Sequence, residues 1–121
     1  MPHILVAGKL HAAGLARLGE ARGFTHRLVE EVSVESYLPH LPEAEAVVIR
    51  TQPMTAETIA LARRLRIVSR HGVGYDAIDA KALKGRGIPL CIVGDVNSRA
   101  VAEHTLMLML AVARRAARHD A

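Results

Sequence analysis

The sequence predicts an α/β domain: a flavodoxin-like, doubly wound, five-stranded parallel sheet with a long apolar C-terminal helix. Short aliphatic runs alternate with stretches of helical periodicity, which is typical of repeated β-α-β units. The aliphatic runs are rich in small and β-branched residues, as in strands buried on both faces. Hydrophobic residues make up 50% of the 121 residues. A chain of this length and composition can form one aliphatic core.

Three strands and two helices are predicted in the first half of the chain. The strands cover His3–Ala7, Thr25–Val29 and Ala46–Ile49, of which the second has the weakest pattern. The helices cover residues 12–22, ended by Gly23, and residues 34–41, closed by two prolines. A glycine past the last turn and a proline that cannot continue the helix are common stop signals.

Two strands and two further helices follow. Thr55 is expected to cap a helix, because its hydroxyl oxygen can accept a hydrogen bond from a first-turn amide. Strands are predicted at residues 65–68 and 88–93. Asp76 is expected to cap a helix over residues 77–84 between them. Right-handed connections would leave helices on both faces of the sheet.

The last predicted helix covers residues 98–118, with Asn97 or Ser98 as its cap. Its length would be about 30 Å at a rise of about 1.5 Å per residue. Residues 105–113 are apolar around the whole circumference, which is typical of a helix buried on every side. A small domain can cover one side only, so we expect a further domain or a second copy of the chain to cover the rest. A homodimer through helix 98–118 is therefore predicted.

Composition excludes several classes of function. The formal net charge is +4, but the basic residues are scattered and not interleaved with aromatic residues, which argues against nucleic-acid binding. The longest apolar run, residues 106–113, is far shorter than the ~20 residues of a membrane span. Cys91, the single cysteine, lies in an apolar run and is expected to be buried. The absence of disulfide pairs, metal-ligand spacings and a signal peptide favours a cytoplasmic protein without a metal site.

Arg50 follows a predicted buried strand directly, at the edge of the sheet where α/β proteins bind ligands. Its planar, permanently charged guanidinium suits a carboxylate or a phosphate. The alternative is a structural arginine that pairs with a nearby acid. The sequence alone leaves both open.

A loop with two glycines, Ser-Arg-His-Gly-Val-Gly at residues 69–74, follows the next strand. Such glycines let the backbone approach a ligand, and successive amides can form an anion-binding nest. Residues 72–77 also fit the Gly-x-Gly-x-x-Ala dinucleotide fingerprint, but Asp76 would put a negative charge where the pyrophosphate lies. An anion-binding loop is favoured over a dinucleotide site or a plain turn. His71 is either an acid, base or hydrogen-bonding group or a structural loop residue.

Taken together, these motifs resemble the D-isomer-specific 2-hydroxyacid dehydrogenases, the family of phosphoglycerate, glyoxylate, hydroxypyruvate, D-lactate and formate dehydrogenases. The matching stretches are residues 48–51, 65–79, 86–89 and 97–114. The resemblance implies a flavodoxin-like substrate domain at residues 1–97. It also implies that residues 98–121 form the helix leading into a Rossmann domain that binds NAD or NADP.

The resemblance implies roles for individual residues. The amides of Val73 and Gly74 would hold the substrate carboxylate, and Asn97 would lie beside the substrate and the nicotinamide. The resemblance also implies substrate contacts for Arg50 and Arg70. With His71 and Gly72 of the glycine loop added, the candidate substrate-binding residues are Arg50, Arg70, His71, Gly72, Val73, Gly74 and Asn97. The implied cofactor-binding residues are Ser98 and Val101.

Three departures from the family pattern limit these expectations. His71 and Tyr75 replace small residues, which leaves the identity of the 2-hydroxy or 2-oxo acid open, and Gly94-Asp95 stands where a proline-containing turn is common. The family's catalytic arginine, glutamate and histidine and its cofactor loop belong beyond residue 121. We therefore assign no catalytic residue and expect this chain alone to bind no NAD(P) and to be inactive, whether it is part of a longer polypeptide or a short gene product.

Two other functions are alternatives to a part of a dehydrogenase. One is a stand-alone, self-associating module that binds a small carboxylate without catalysis, favoured by the apolar last helix. The other is a flavodoxin-type electron carrier. That carrier is disfavoured because few aromatic residues are present to sandwich a flavin: the chain has Phe24, Tyr37 and Tyr75 and no tryptophan.

Overall fold

The computed structural model describes residues 1–115 and 118, which form one sheet with helices around it. The strands are β1 (His3–Ala7), β2 (Thr25–Val29), β3 (Ala46–Ile49), β4 (Ile67–Arg70) and β5 (Leu90–Cys91). The α-helices are α1 (Ala12–Glu20), α2 (Val34–Tyr37), α3 (Ala56–Leu61), α4 (Ala80–Gly85) and α5 (Ser98–Ala113). A 3₁₀ helix, Leu38–Glu43, continues directly from α2.

The sheet is parallel throughout, with the strand order β2-β1-β3-β4-β5. The predicted flavodoxin-like order is confirmed. The connection from β1 to β2 runs in the opposite direction along the sheet from the later β3-β4-β5 connections. The order therefore reverses between β1 and β3, and the carboxyl edge at such a reversal is where open α/β sheets bind ligands.

The hydrophobic core lies against one face of the sheet. Alternate residues of the central strands point into it and are buried: Leu5, Ala7, Val47, Ile49 and Val68. Residues of α2, the 3₁₀ helix, α3 and α4 cover them: Tyr37, Leu41, Ile59 and Leu83. The Tyr37 hydroxyl donates a hydrogen bond to the Pro53 carbonyl oxygen at 2.5 Å. Burial raises the pKa of Tyr37, and a hydrogen bond with Thr58 partly opposes that shift.

The opposite face of the sheet is only partly covered. Ile67 in β4 is 38% exposed, and Cys91 in β5 is exposed as well. No residue of α1, which the right-handed β1-α1-β2 connection places on this face, is fully buried, although Leu15 and Leu18 are partly buried. No residue of α5 is buried either. The expectation that Cys91 is buried is therefore wrong. The second face is covered only in part: Val6 of β1 is 1% exposed, whereas the face is open at β4 and β5, because no residue of α5 is buried against it.

Several predicted boundaries change. The strand predicted at 65–68 is β4, Ile67–Arg70, since Leu65 is buried in the turn before it. The strand predicted at 88–93 shrinks to Leu90–Cys91, because β5 is an edge strand paired only with β4. The helix predicted at 34–41 divides into α2 and the 3₁₀ helix, which has a proline in its first turn and a second proline inside.

Asp79, not Asp76, caps α4. Its carboxylate oxygen accepts the Ala82 amide hydrogen bond at 2.9 Å. Asp76 and Ala77 form a turn closed by the bond from the Ile78 amide to the Tyr75 carbonyl oxygen, and Ile78 forms a parallel bridge with Met54, so the helix cannot begin before Asp79. Thr55 caps α3 as predicted, accepting from the Thr58 amide.

Helix α5 ends at Ala113, five residues before the predicted end at 118. Arg115 has a φ of 52°, which no α-helix accommodates. Asn97 occupies the N-cap position, but its side chain makes no capping hydrogen bond. The rest of the predicted helix falls partly on residues 116 and 117, outside the described residues. No helix in the described part of the chain is both long and apolar enough to cross a membrane.

Candidate functional site

Arg50 and the glycine loop lie at the same edge of the sheet. Ala7, Ile49 and Arg70 are paired neighbours at the carboxyl ends of β1, β3 and β4. The ladder continues for one further step on each side of β3: the Arg50 amide donates to the Ala7 carbonyl at 3.1 Å, and the His71 amide donates to the Ile49 carbonyl at 2.7 Å. Arg50 and His71 therefore start from adjacent points on one rim.

Gly8, which the sequence marked only as the end of the first strand, permits this arrangement. It has a φ of 103°, and its amide donates to the Val29 carbonyl at 2.8 Å. A Cβ at position 8 would lie 2.8 Å from the Arg50 Cβ and 3.3 Å from the Gln52 Oε1 atom. Only glycine fits, because the chains after β1 and β3 approach too closely for a side chain. A glycine directly after a first strand is the signal that could have identified it.

Gln52 is a second residue that the sequence did not single out. It is buried, and its Oε1 atom accepts a hydrogen bond from the Thr51 amide at 3.1 Å. Its amide nitrogen lies 3.5 Å from the Glu31 carbonyl oxygen. The buried side chain fixes the backbone just past Arg50, so it helps to determine where that guanidinium begins. Sequence reasoning had no signal for it, since an isolated glutamine in a loop is usually exposed.

The Arg70 guanidinium bonds to the loop that follows it. Its Nε–H donates to the Gly74 carbonyl oxygen at 2.8 Å, and its Nη1–H donates to the His71 carbonyl oxygen. Gly72, with a φ of 145°, lies under the guanidinium. That Arg70 contacts substrate stays a prediction. In the structure its guanidinium forms a clamp, meaning that it bonds to two carbonyl groups of the loop backbone.

The loop contains two backbone amides without a hydrogen-bond acceptor among the described residues. Among the hydrogen bonds of the described residues, none uses the amide of Val73 or of Gly74 as a donor. Both residues are exposed, Val73 to 37%. Unpaired consecutive amides form a concavity of positive potential that suits a carboxylate. Asp76 lies nearby, with Oδ2 3.9 Å from where a Gly74 Cβ would be, and lowers that potential.

The Arg50 guanidinium is available to an anion. The ion pairs among the described residues lie elsewhere, with Arg64 and Arg66 on Glu45 and with Arg99 on Glu103. Arg50 is exposed, and no hydrogen bond of its side chain occurs within the described part of the chain. A structural pairing of Arg50, the alternative left open by the sequence, is not what the described residues provide.

Asn97, Ser98 and Val101 lie together at the start of α5, and all are exposed. The chain reaches them from the loop side, because the Val93 amide donates to the Gly72 carbonyl oxygen at 3.2 Å. Helix α5 begins at Ser98, five residues after Val93. The implied roles of these three residues beside substrate and cofactor remain predictions.

The glycine loop does not fit a dinucleotide. A pyrophosphate site needs the N-terminus of a helix directly behind the glycines. Here α4 begins only at Ala80, and Asp76 carries the opposite charge from the one required. Within residues 1–115 and 118, no group of three or more metal-ligating side chains occurs either.

Comparison with known proteins identifies relatives of the whole described chain. The sequence model described as "D-isomer specific 2-hydroxyacid dehydrogenase, catalytic domain" matches residues 4–120. D-3-phosphoglycerate dehydrogenase of Mycobacterium leprae is 36% identical over 122 residues, which covers 100% of this chain and 23% of that protein. Hydroxypyruvate reductase of Thermotoga maritima is 33% identical over 90 residues, covering 74% of this chain and 29% of the relative.

Solved structures agree in fold. The NADPH-dependent glyoxylate/hydroxypyruvate reductase of Sinorhizobium meliloti in complex with citrate has a TM-score of 0.71 and 27% identity, covering 92% of this chain and 34% of that one. The TT0316 protein of Thermus thermophilus has a TM-score of 0.81 and 29% identity, covering 96% and 38%. The chain thus spans about a quarter of the length of the curated phosphoglycerate dehydrogenase it matches, 23%.

Proposed function

Because the chain belongs to the D-isomer specific 2-hydroxyacid dehydrogenases, we propose that it is the substrate-binding part of an NAD(P)-dependent enzyme that interconverts 2-hydroxy and 2-oxo acids. The observation that carries this proposal is the shared rim, where the free Arg50 guanidinium starts beside a loop with two unpaired amides. A small carboxylate fits both groups, since it accepts several hydrogen bonds and carries one negative charge.

In this proposal the loop and Arg50 bind different groups of the substrate. The amides of Val73 and Gly74 bind the carboxylate that every 2-hydroxy acid shares. Arg50 binds a second anionic or polar group, and Asn97 approaches from the start of α5. His71 and Tyr75 border the loop and would select the remainder of the substrate by size and polarity. Related structures support the ligand class: the Sinorhizobium meliloti reductase was solved with citrate, a carboxylate.

Residues 1–97 would form the substrate domain, and residues 98–121 would lead toward the part that holds the cofactor. That cofactor, NAD or NADP, supplies the hydride chemistry when bound, with Ser98 and Val101 beside it. Hydride transfer also needs an acid or base held by a second group, which we assign to no residue of this chain. We propose a cytoplasmic location, because a chain with one cysteine forms no internal disulfide and suits a reducing compartment.

Absence of turnover by the isolated chain is the first test. Purified chain mixed with NADH or NADPH and with glyoxylate or hydroxypyruvate should oxidise the cofactor no faster than buffer alone. Turnover that persists through stringent purification and co-elutes with the chain would contradict the assignment of catalysis to residues elsewhere.

Binding of a carboxylate is the second test, and it addresses the site itself. Titration of ¹⁵N-labelled chain with D-glycerate should shift the amide signals of Val73 and Gly74 saturably. Arg50→Gln should weaken binding about tenfold, in line with loss of one charged hydrogen bond. Arg66→Gln is the matched control, because Arg66 is an exposed arginine at the other end of the sheet. Equal effects of the two substitutions would overturn the site.

A second candidate, a self-associating carboxylate-binding module without catalysis, is favoured by one observation. Every side chain of the apolar stretch of α5 is at least partly exposed, including Leu106, Leu110 and Val112 at 62%, 65% and 78%. An apolar helix of this kind requires a partner, and we propose a two-fold pair of α5 helices in a homodimer. Static light scattering checks it: a single monomeric species at micromolar concentration would exclude the module and leave the dehydrogenase part.

A further inference from the structure

We propose that Arg70 is a positioning residue that acts on substrate through the loop backbone and does not touch substrate itself. Its guanidinium holds the loop in the conformation that leaves the Val73 and Gly74 amides unpaired. The inference rests on the proposed function, since it assigns the two arginines of that site different tasks. Arg50 binds the ligand, and Arg70 shapes the surface that binds it.

The first observation is where the Arg70 hydrogen bonds go. The guanidinium donates to the carbonyl oxygens of His71 and of Gly74, which bracket the loop at both ends. A planar guanidinium has its donors in a fixed fork, so two bonds set the distance between the two carbonyl groups. Both carbonyl oxygens are thereby held on the Arg70 side of the loop. Of the three amides between them, that of Gly72 donates to the Arg70 carbonyl oxygen at 2.9 Å, and those of Val73 and Gly74 have no acceptor among the described residues.

The second observation is Gly72, which lies between the two bonded carbonyl groups. A Cβ at position 72 would come within 2.8 Å of the Arg70 Nη1 atom, 3.0 Å of Cζ and 3.1 Å of Nη2. Its φ of 145° is one that side-chain-bearing residues rarely adopt. The guanidinium and the glycine therefore fit as a pair. Any side chain at position 72 displaces Arg70 from the loop, and loss of Arg70 removes the clamp that holds this backbone.

The third observation concerns charge. The Arg70 cation lies against the carbonyl oxygens of the loop and offsets their negative potential. Asp76, the acid nearest to Gly74, acts in the opposite direction. An anion at the Val73 and Gly74 amides thus gains from Arg70 without contact, through the field and the geometry together. Such a role affects the common carboxylate of all 2-hydroxy acids and not the group that distinguishes one acid from another.

This difference supplies the test. D-glycerate and 3-phospho-D-glycerate share the 2-hydroxy carboxylate and differ in one phosphate. For a positioning role, Arg70→Gln and Arg70→Lys should each weaken both ligands about tenfold, with the ratio of the two affinities unchanged within about twofold. Lysine keeps the charge but cannot reproduce the fork. Direct contact with substrate predicts instead a loss confined largely to the phosphorylated ligand, which would overturn the proposal, as would an unchanged affinity for both.

A second readout needs no ligand. In the ¹⁵N spectrum of the free chain, the Arg70 Nε–H should exchange slowly with water, because it donates to the Gly74 carbonyl. Gly72→Ala should abolish that protection and shift the Val73 and Gly74 amides, while Arg66→Gln leaves all three signals unchanged. A rapidly exchanging Arg70 Nε–H in the unmodified chain refutes the clamp. If neither acid binds the unmodified chain, the proposed function fails while this readout still decides the role of Arg70.

Discussion

Replacing Gly8 with alanine tests the geometry of the rim at its narrowest point. Gly8 lies at the reversal of strand order, with a φ of 103°, and a Cβ there would be 2.8 Å from the Arg50 Cβ. Two separate costs follow. One is the backbone strain of a side-chain-bearing residue at positive φ, and the other is a collision with residues that cannot move without shifting the start of the Arg50 side chain.

Gly23 separates the two costs. It also has a positive φ, 88°, but no atom lies within 4 Å of where its Cβ would be. Gly23→Ala therefore carries strain alone, about 1–2 kcal/mol of unfolding free energy. Gly8→Ala adds an overpacking cost of about 1–3 kcal/mol, so its total is about 2–5 kcal/mol. The additional destabilisation by Gly8→Ala, relative to Gly23→Ala, measures how closely the residues after β1 and β3 pack against each other.

Urea unfolding followed by circular dichroism gives both values. All variants must be compared at one protein concentration, because self-association through α5 would make stability concentration-dependent. Gly19→Ala serves as a sign control: this helical glycine faces open space, so alanine should stabilise by about 0.5–1 kcal/mol. If Gly8→Ala and Gly23→Ala destabilise equally, within about 0.5 kcal/mol, the close approach of Gly8 to Arg50 is refuted.

Three further outcomes are expected. Asp76→Asn should strengthen D-glycerate binding a few-fold at low salt and less at high salt, because it removes a repelling charge beside Gly74; an effect independent of salt would contradict this. Leu110→Glu should convert an α5 dimer to monomer in light scattering, whereas Phe24→Glu, on the far edge of the sheet, should not. Burial raises the pKa of Tyr37 in the folded chain. Its contribution to the unfolding free energy should therefore be fully present below the pKa of an unfolded tyrosine, about 10, and should be lost as the pH rises through the higher pKa of the folded state. Tyr37→Phe should remove that pH dependence and cost about 1–3 kcal/mol through the unpaired Pro53 carbonyl; a pH dependence that survives the substitution would show that another group causes it.

Much of the fold could be predicted from local pattern. The strands His3–Ala7 and Ala46–Ile49 have the predicted bounds, because each is a short aliphatic run flanked by clear breaks. Thr25–Val29 also has the predicted bounds despite its weak pattern, since it pairs with β1 along its whole length. The predicted boundaries were wrong where two different structures are compatible with the same residue types. Leu65 is apolar because it is buried in a turn, not because it belongs to a strand. Asp76 and Asp79 are both good caps by type, and the Met54–Ile78 bridge, a long-range contact, decides between them.

The candidate site divides in the same way. That Arg50 and the glycine loop share one rim follows from their position after strands, together with the parallel order of β3 and β4. The state of each side chain does not follow. Arg50 is free while Arg70 bonds to its own loop, although both are arginines at strand ends. Gln52 and Gly8 matter through contacts across the reversal of strand order, which neither composition nor periodicity encodes.

The uncovered thiol at the outer strand of the sheet has a practical consequence. Cys91 is the one cysteine in the chain, and in β5 it neighbours Ser69 on the same face as Ile67. A maleimide fluorophore would therefore attach at a single native position, with no engineered attachment point. Its emission would change when a second protomer or a further segment of polypeptide packs on that face of the sheet.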